Sequence, residues 1–270
     1  MDAARDELST DRIVLVTGGV SGIGAACVER FVAAGDTVAA TYLQPGELDT
    51  SFGATVWDMA ASVHALDLRD VDSIRRCVAE VVAVHGRIDV LVNNAAVGSG
   101  TVARMADDEA GQDSAMLAVN ADGTLKMAQE FITASTGRDR KLVSLSSVGG
   151  GVAAFPGFRL SDGMSKAAVA FMTRQLAAET VHADLDVFAV CPGATDTPML
   201  RASTLDAMTR DERASFEARL PKGRLIQPGE IAEIVHFLTT PPARVLHGAV
   251  IDASMGLGVR PGLMTEYDGI

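Results

Sequence analysis

The sequence predicts one α/β domain built on a doubly wound parallel β-sheet. Three observations carry that prediction. Short β-branched and apolar runs alternate with helical stretches of about 10–15 residues, the pattern of βαβ units in a sheet covered on both faces. A glycine-rich turn, TGGVSGIG at 17–24, joins the first run to the first helical stretch. No Pro/Ser-rich linker and no internal repeat divides the chain.

The elements follow in order. RIVLVTG (12–18) is the first strand, and the Ala-rich stretch after the turn is a helix that Gly35 stops. TVAATYL (37–43) and VHALDL (63–68) are strands two and three. Residues 70–86 place Ile74, Val78, Val81 and Val82 on one side of a helix. IDVLVNNAA (88–96) is strand four, a long helical region covers 107–135, and KLVSLSS (141–147) is strand five. A helix over 162–180, strand six (DVFAVCPG, 186–193), a helix (IAEIVHFL, 231–238) and a last strand (GAVIDA, 248–253) complete the set. Right-handed crossovers make such a sheet Rossmann-type. The expected organisation is a polar extension over 1–11, the domain over 12–258 and a tail over 259–270. Segments 44–62 and 194–227 lack clear periodicity, and the second reads as a substrate lid.

Bulk chemistry narrows the function. The net charge of −12 repels nucleic acid and anionic membranes, and no basic patch offsets it. No apolar run approaches the roughly 20 residues of a membrane span, and the acidic N-terminus is no signal peptide, so a cytoplasmic enzyme of small molecules is expected. Cys27, Cys77 and Cys191 are scattered among apolar residues and read as inert thiols. The five histidines show no metal-binding spacing, so no metal is expected.

The turn at 17–24 is where cofactor chemistry begins. Gly18 permits a tight turn, and Gly22 and Gly24 let backbone approach a pyrophosphate. The helix N-terminus then offers N–H groups and a positive dipole end to the phosphates.

At this point the chain resembles the short-chain dehydrogenase/reductase family, over residues 12–258. The motif carriers are Thr17, Gly18, Gly22, Ile23 and Gly24; Asp67 in LDL; Asn93 to Ala96 in NNAA; Asn120 in AVNADG; Ser146 and Ser147; and Pro192, Gly193 and Thr197. The resemblance implies a nicotinamide cofactor held by Gly18, Ser21, Gly22, Ile23, Tyr42, Asp67, Leu68, Asn93, Ala95, Lys166, Pro192, Gly193 and Thr197. An acid ending strand two favours NAD in this family, and a basic residue there or before the second glycine favours NADP. Tyr42, Leu43 and Gln44 stand at the first place and Ser21 at the second. The missing acid removes repulsion against a 2′-phosphate, which favours NADP while leaving NAD open. A homotetramer or homodimer is also implied.

Family members reduce carbonyls with an Asn-Ser-Tyr-Lys set. By position, Asn120, Ser147 and Lys166 are present, and Asp162 stands four residues before the lysine, where the tyrosine belongs. The serine-to-lysine connection is about two residues longer than usual, which leaves Ser146 as an alternative to Ser147. The i, i+4 spacing puts Asp162 and Lys166 on one helix face. Two readings stay open: Ser161 or Asp162 caps this helix, or Asp162 faces the nicotinamide. The lysine and the helix N-terminus push a carboxylate's pKa down, and burial pushes it up. An anion there suits an iminium substrate, as in a few family members of alkaloid biosynthesis with aspartate at this place. The leading expectation is an NAD(P)H-dependent reductase of an imine, iminium or carbonyl in a secondary metabolite. The alternatives are a non-redox isomerase, lyase or cyclase and an inactive nucleotide-binding protein.

Overall fold

The computed structural model describes residues 12–135 and 137–260. The expected extension over 1–11, and residues 261–270 of the expected tail, lie outside the described residues.

Seven strands form one sheet: β1 (Ile13–Val16), β2 (Thr37–Tyr42), β3 (Ser62–Ala65), β4 (Val90–Asn93), β5 (Arg140–Leu145), β6 (Leu185–Pro192) and β7 (Val250–Ala253). Their order is β3-β2-β1-β4-β5-β6-β7, and every pairing is parallel. The order reverses between β1 and β4, so the chain leaves a crevice beyond the carboxyl ends of those strands. β1, β4 and β6 are buried at every position, which is why they read as unbroken apolar runs.

The helices are α1 (Gly22–Ala33), α2 (Ser51–Met59), α3 (Val71–His85), short α4 (Ser99–Val102), α5 (Glu109–Leu117), α6 (Thr124–Ala134), short α7 (Val148–Gly151), α8 (Leu160–Glu179), α9 (Pro198–Leu200), α10 (Arg210–Arg219) and α11 (Pro228–Leu238). The ends follow local chemistry. The Asp70 carboxylate accepts the Asp72 N–H at the start of α3, and Gly86 ends that helix at φ 83°. Gly35, at φ 88°, follows α1 as its sequence suggests.

Two apolar layers flank the sheet. On one face Ile74, Val78, Val81, Met116, Phe131 and Met172 pack together. On the other, Cys27, Val28, Phe31, Ile231, Val235 and Leu238 join α1 to α11. A third, separate cluster of Leu205, Phe216, Leu220 and Leu225 lies within segment 194–227. Burial pushes the Cys27 and Cys77 thiols up to about 12, which leaves them protonated.

Three expectations change. The helical region expected over 107–135 is two helices joined by a π-turn, Ala118–Gly123. Asn120 sits in that turn, and Gly123 lies so close to Leu68 that a Cβ would meet its carbonyl at 2.5 Å. Segment 44–62 holds α2, whose first turn is capped by Thr50 Oγ1 accepting from Gly53 N–H at 3.0 Å. The helix expected from 162 begins two residues earlier, at Leu160.

Candidate active site

The cofactor turn is lashed to the sheet's switch point by one hydroxyl. Thr17 Oγ1 accepts the N–H groups of Asn94 and Ala95, each at 2.9 Å. Asn94 Nδ2 in return donates to Thr17 O at 2.8 Å and Gly18 O at 3.2 Å. Gly18 and Gly22 take φ 61° and 53°, conformations that favour glycine. A Cβ on Gly24 would lie 2.1 Å from Gly18 O, so only glycine lets α1 begin this close to the turn.

The first intrahelical bond of α1 runs from Ala25 N–H to Ser21 O. The N–H groups of Gly22, Ile23 and Gly24 therefore lack a helical acceptor. Ser21, the N-cap, makes no side-chain bond to them. Free N–H groups at a helix start, on glycines without a Cβ, fit a pyrophosphate.

The other residues expected at the cofactor lie on neighbouring strand ends and turns. Thr197 lies across from Gly22, where a Cβ would meet its methyl at 3.3 Å, and its Oγ1 accepts from Leu200 N–H. Pro192 ends β6, and Gly193 packs against Ser254. Ala95 packs on Gly18, and Leu68 on Gly123. Tyr42 ends β2 and packs against the second core layer. Asp67 is already engaged: Arg69 pairs with its carboxylate at 2.6 Å and holds its pKa below the ordinary value. Asn93 is 2% exposed; its Nδ2 donates to Thr124 O, and its Oδ1 has no partner.

The chemical end is assembled by close backbone packing. Gly150, at φ 88°, approaches Gly163 so closely that a Cβ would lie 2.1 Å from Gly163 O. This contact sets the loop after β5 against the first turns of α8. It brings Ser147 to the helix that carries Asp162 and Lys166. The two serines differ: Ser146 Oγ donates to Lys166 O at 2.8 Å and is buried, whereas Ser147 is partly exposed and its Oγ accepts only from Gly149 N–H, at 3.2 Å.

The N-cap of α8 is Arg159, which makes no side-chain cap bond, so neither Ser161 nor Asp162 is the cap residue. Asp162 lies inside the first turn. Ser161 Oγ instead donates to Asp113 Oδ1 at 2.6 Å, and Arg159 pairs with Asp113 at 2.7 Å and with Gln112 at 3.1 Å. This clamp ties α8 to α5. No spacing rule in the sequence connects Arg159 with Asp113, so it was invisible there.

Asp162 and Lys166 interact through space without a hydrogen bond between them. Burial raises the Asp162 pKa, and the charges of Lys166 and Arg159 oppose the rise. Burial also lowers the Lys166 pKa, with Asp162 opposing. Desolvation thus wins over the lysine's pull on Asp162. Asn120 is placed differently from a free relay group. It is 1% exposed, and both ends of its amide grip Val97: Oδ1 accepts from Val97 N–H at 2.8 Å and Nδ2 donates to Val97 O at 2.9 Å.

Comparison with known proteins places this geometry. A family model described as enoyl-(acyl carrier protein) reductase matches residues 18–258. The 3-oxoacyl-acyl-carrier-protein reductase of Thermotoga maritima is 32% identical over 250 residues, 91% of this chain and 97% of that protein. A variant of the actinorhodin polyketide ketoreductase, solved with NADPH, superposes with a TM-score of 0.80 at 30% identity, covering 92% of this chain and 97% of that one. A 3-oxoacyl-acyl-carrier-protein reductase from Brucella melitensis, solved with NAD, gives 0.78 at 26% identity, covering 92% and 97%. The chain belongs to the short-chain dehydrogenase/reductase family.

Proposed function

We propose that the chain is an NAD(P)H-dependent reductase of a carbonyl or imine carbon in a small, largely apolar molecule of secondary metabolism, with Asp162 in the place of the usual proton donor. The observation that carries this reading is Asp162, raised by burial, one helical turn from Lys166 on α8, with the loop that holds Ser147 packed against the start of that helix. The relatives' activities, reduction of ketoacyl groups, support the carbonyl arm. Apolar side chains support the substrate class: Phe158 lies against Gly149 and Gly163, and Met199 lies across Gly98.

When bound, the nicotinamide supplies the hydride. Ser147 Oγ–H donates to the substrate carbonyl oxygen or to a neutral imine nitrogen. Lys166, whose ammonium makes no side-chain bond in the described structure, is placed to hold a ribose hydroxyl. Asp162 in its acid form gives a proton to the developing alkoxide. In its ionised form it pairs instead with an iminium cation, which needs no proton on nitrogen after hydride arrives.

The two arms have opposite pH signatures. Carbonyl reduction falls as pH rises through the raised Asp162 pKa, because the donor form is lost. Iminium reduction falls as pH drops through the same value. Consumption of NADPH and NADH with a panel of ketones and cyclic imines, followed across pH, tests both. Absence of turnover on every member, with cofactor still bound, counts against reductase function.

A further inference from the structure

At the edge of the sheet, away from the cleft, β3 and α3 bring together two histidines that no sequence motif connects. His64 Nε2 lies 2.9 Å from Ser62 Oγ, and His85 Nε2 lies 2.8 Å from the same oxygen. His64 Nδ1 lies 3.1 Å from the Glu80 carboxylate. His64 is 8% exposed, and Ser62 and His85 are partly exposed.

We propose that this cluster is a binding site for a borderline divalent cation, Zn²⁺ or Cu²⁺, held by Nε2 of His64 and Nε2 of His85, with Ser62 Oγ or water completing the shell.

Proton counting supports the placement. A carboxylate only accepts, so the neutral His64 ring carries its proton on Nδ1 and turns a lone pair on Nε2 toward Ser62. That is the carboxylate–histidine arrangement that orients metal-ligating imidazoles. Ser62 has one hydroxyl proton and gives it to His64, so the His85 Nε2–H donates to Ser62 Oγ. A cation at the meeting point takes both lone pairs once the His85 proton moves to Nδ1, which leaves that ring neutral. The donor set chooses the metal: imidazoles suit Zn²⁺ and Cu²⁺, whereas Mg²⁺ and Ca²⁺ require oxygen shells. No three His, Cys, Asp or Glu side chains among the described residues converge on one point. The site is therefore a two-imidazole clamp that binds exchangeably. Its occupant ties the start of β3 to the end of α3.

The test uses the tag-free full chain, stripped of metal and titrated near neutral pH with ZnCl₂ and CuCl₂ by calorimetry and thermal unfolding. One saturable site and a metal-dependent rise in melting temperature are expected, with no rise in MgCl₂. His85→Ala should lose both signals, and His182→Ala, at an exposed histidine elsewhere, should keep them. If His85→Ala fails to fold, Glu80→Gln decides, because Glu80 is 58% exposed. It should weaken binding about ten-fold or more. No saturable binding in the native chain, undiminished binding in a folded His85→Ala variant, or unweakened binding in Glu80→Gln overturns the proposal.

Discussion

Asp162 carries the proposed chemistry and offers its first test. Asp162→Asn keeps shape and removes the ionisable group, and turnover should fall on the order of 100- to 1000-fold. Affinity for the reduced cofactor should change little, since Lys166, proposed to hold the ribose, is left in place. Stability should move the other way. A carboxyl whose folded pKa is raised favours the folded state below its ordinary pKa near 3.8, and that advantage is lost as pH rises through the folded value. At neutral pH, Asp162→Asn should therefore melt at or above the temperature of the native chain, and the difference should vanish in acid. Gly22→Asp places a side chain and a negative charge at the phosphate seat, where φ is 53°. It should abolish NAD(P)H binding in a fluorescence titration.

At the scale of elements, the clamp between α5 and α8 has a measurable task. Arg159 lowers the Asp162 pKa while it holds Asp113. Arg159→Gln should raise the Asp162 pKa further and move the falling limb of carbonyl reduction to higher pH. Its cost in stability should stay small, because the pair is partly exposed and screened by solvent. The elements themselves were legible where the signal is local. Strands such as β1 and β6 are continuous apolar runs, and α3 repeats every three to four residues between Asp70 and Gly86. The glycine turn could be read because Gly18, Gly22 and Gly24 are required by backbone geometry alone. What escaped the sequence depends on pairs far apart in the chain. Asn120 gripping Val97, Gly150 meeting Gly163, Arg159 meeting Asp113 and His64 meeting His85 are products of the fold. The balance on Asp162 escaped for the same reason, since burial is a property of the assembled cleft.

For the whole molecule, one surface asks for company. Leu160, Met164 and Phe171 lie on α8 and are 77%, 51% and 67% exposed. Their spacing puts them along one side of the helix, an apolar stripe suited to a symmetry-related copy. The native chain is expected to sediment as a homotetramer or homodimer at micromolar concentration. Phe171→Arg should shift it toward the monomer while leaving the fold intact. A native chain that sediments as a monomer would remove this expectation.

The third apolar cluster has a kinetic consequence. Leu205, Phe216, Leu220 and Leu225 pack with one another, apart from both layers that flank the sheet. The segment after Thr197 thus carries its own small core. It meets the loop after β4 at Gly98 and Gly100, where Met199 and Ala202 rest on bare backbone. Were this segment the expected lid, it would detach as a unit, with little to melt and little to rebuild. Departure of spent cofactor, rather than bond making, would then set the pace of each cycle, and bulk added at Gly98 would quicken turnover by loosening the seat.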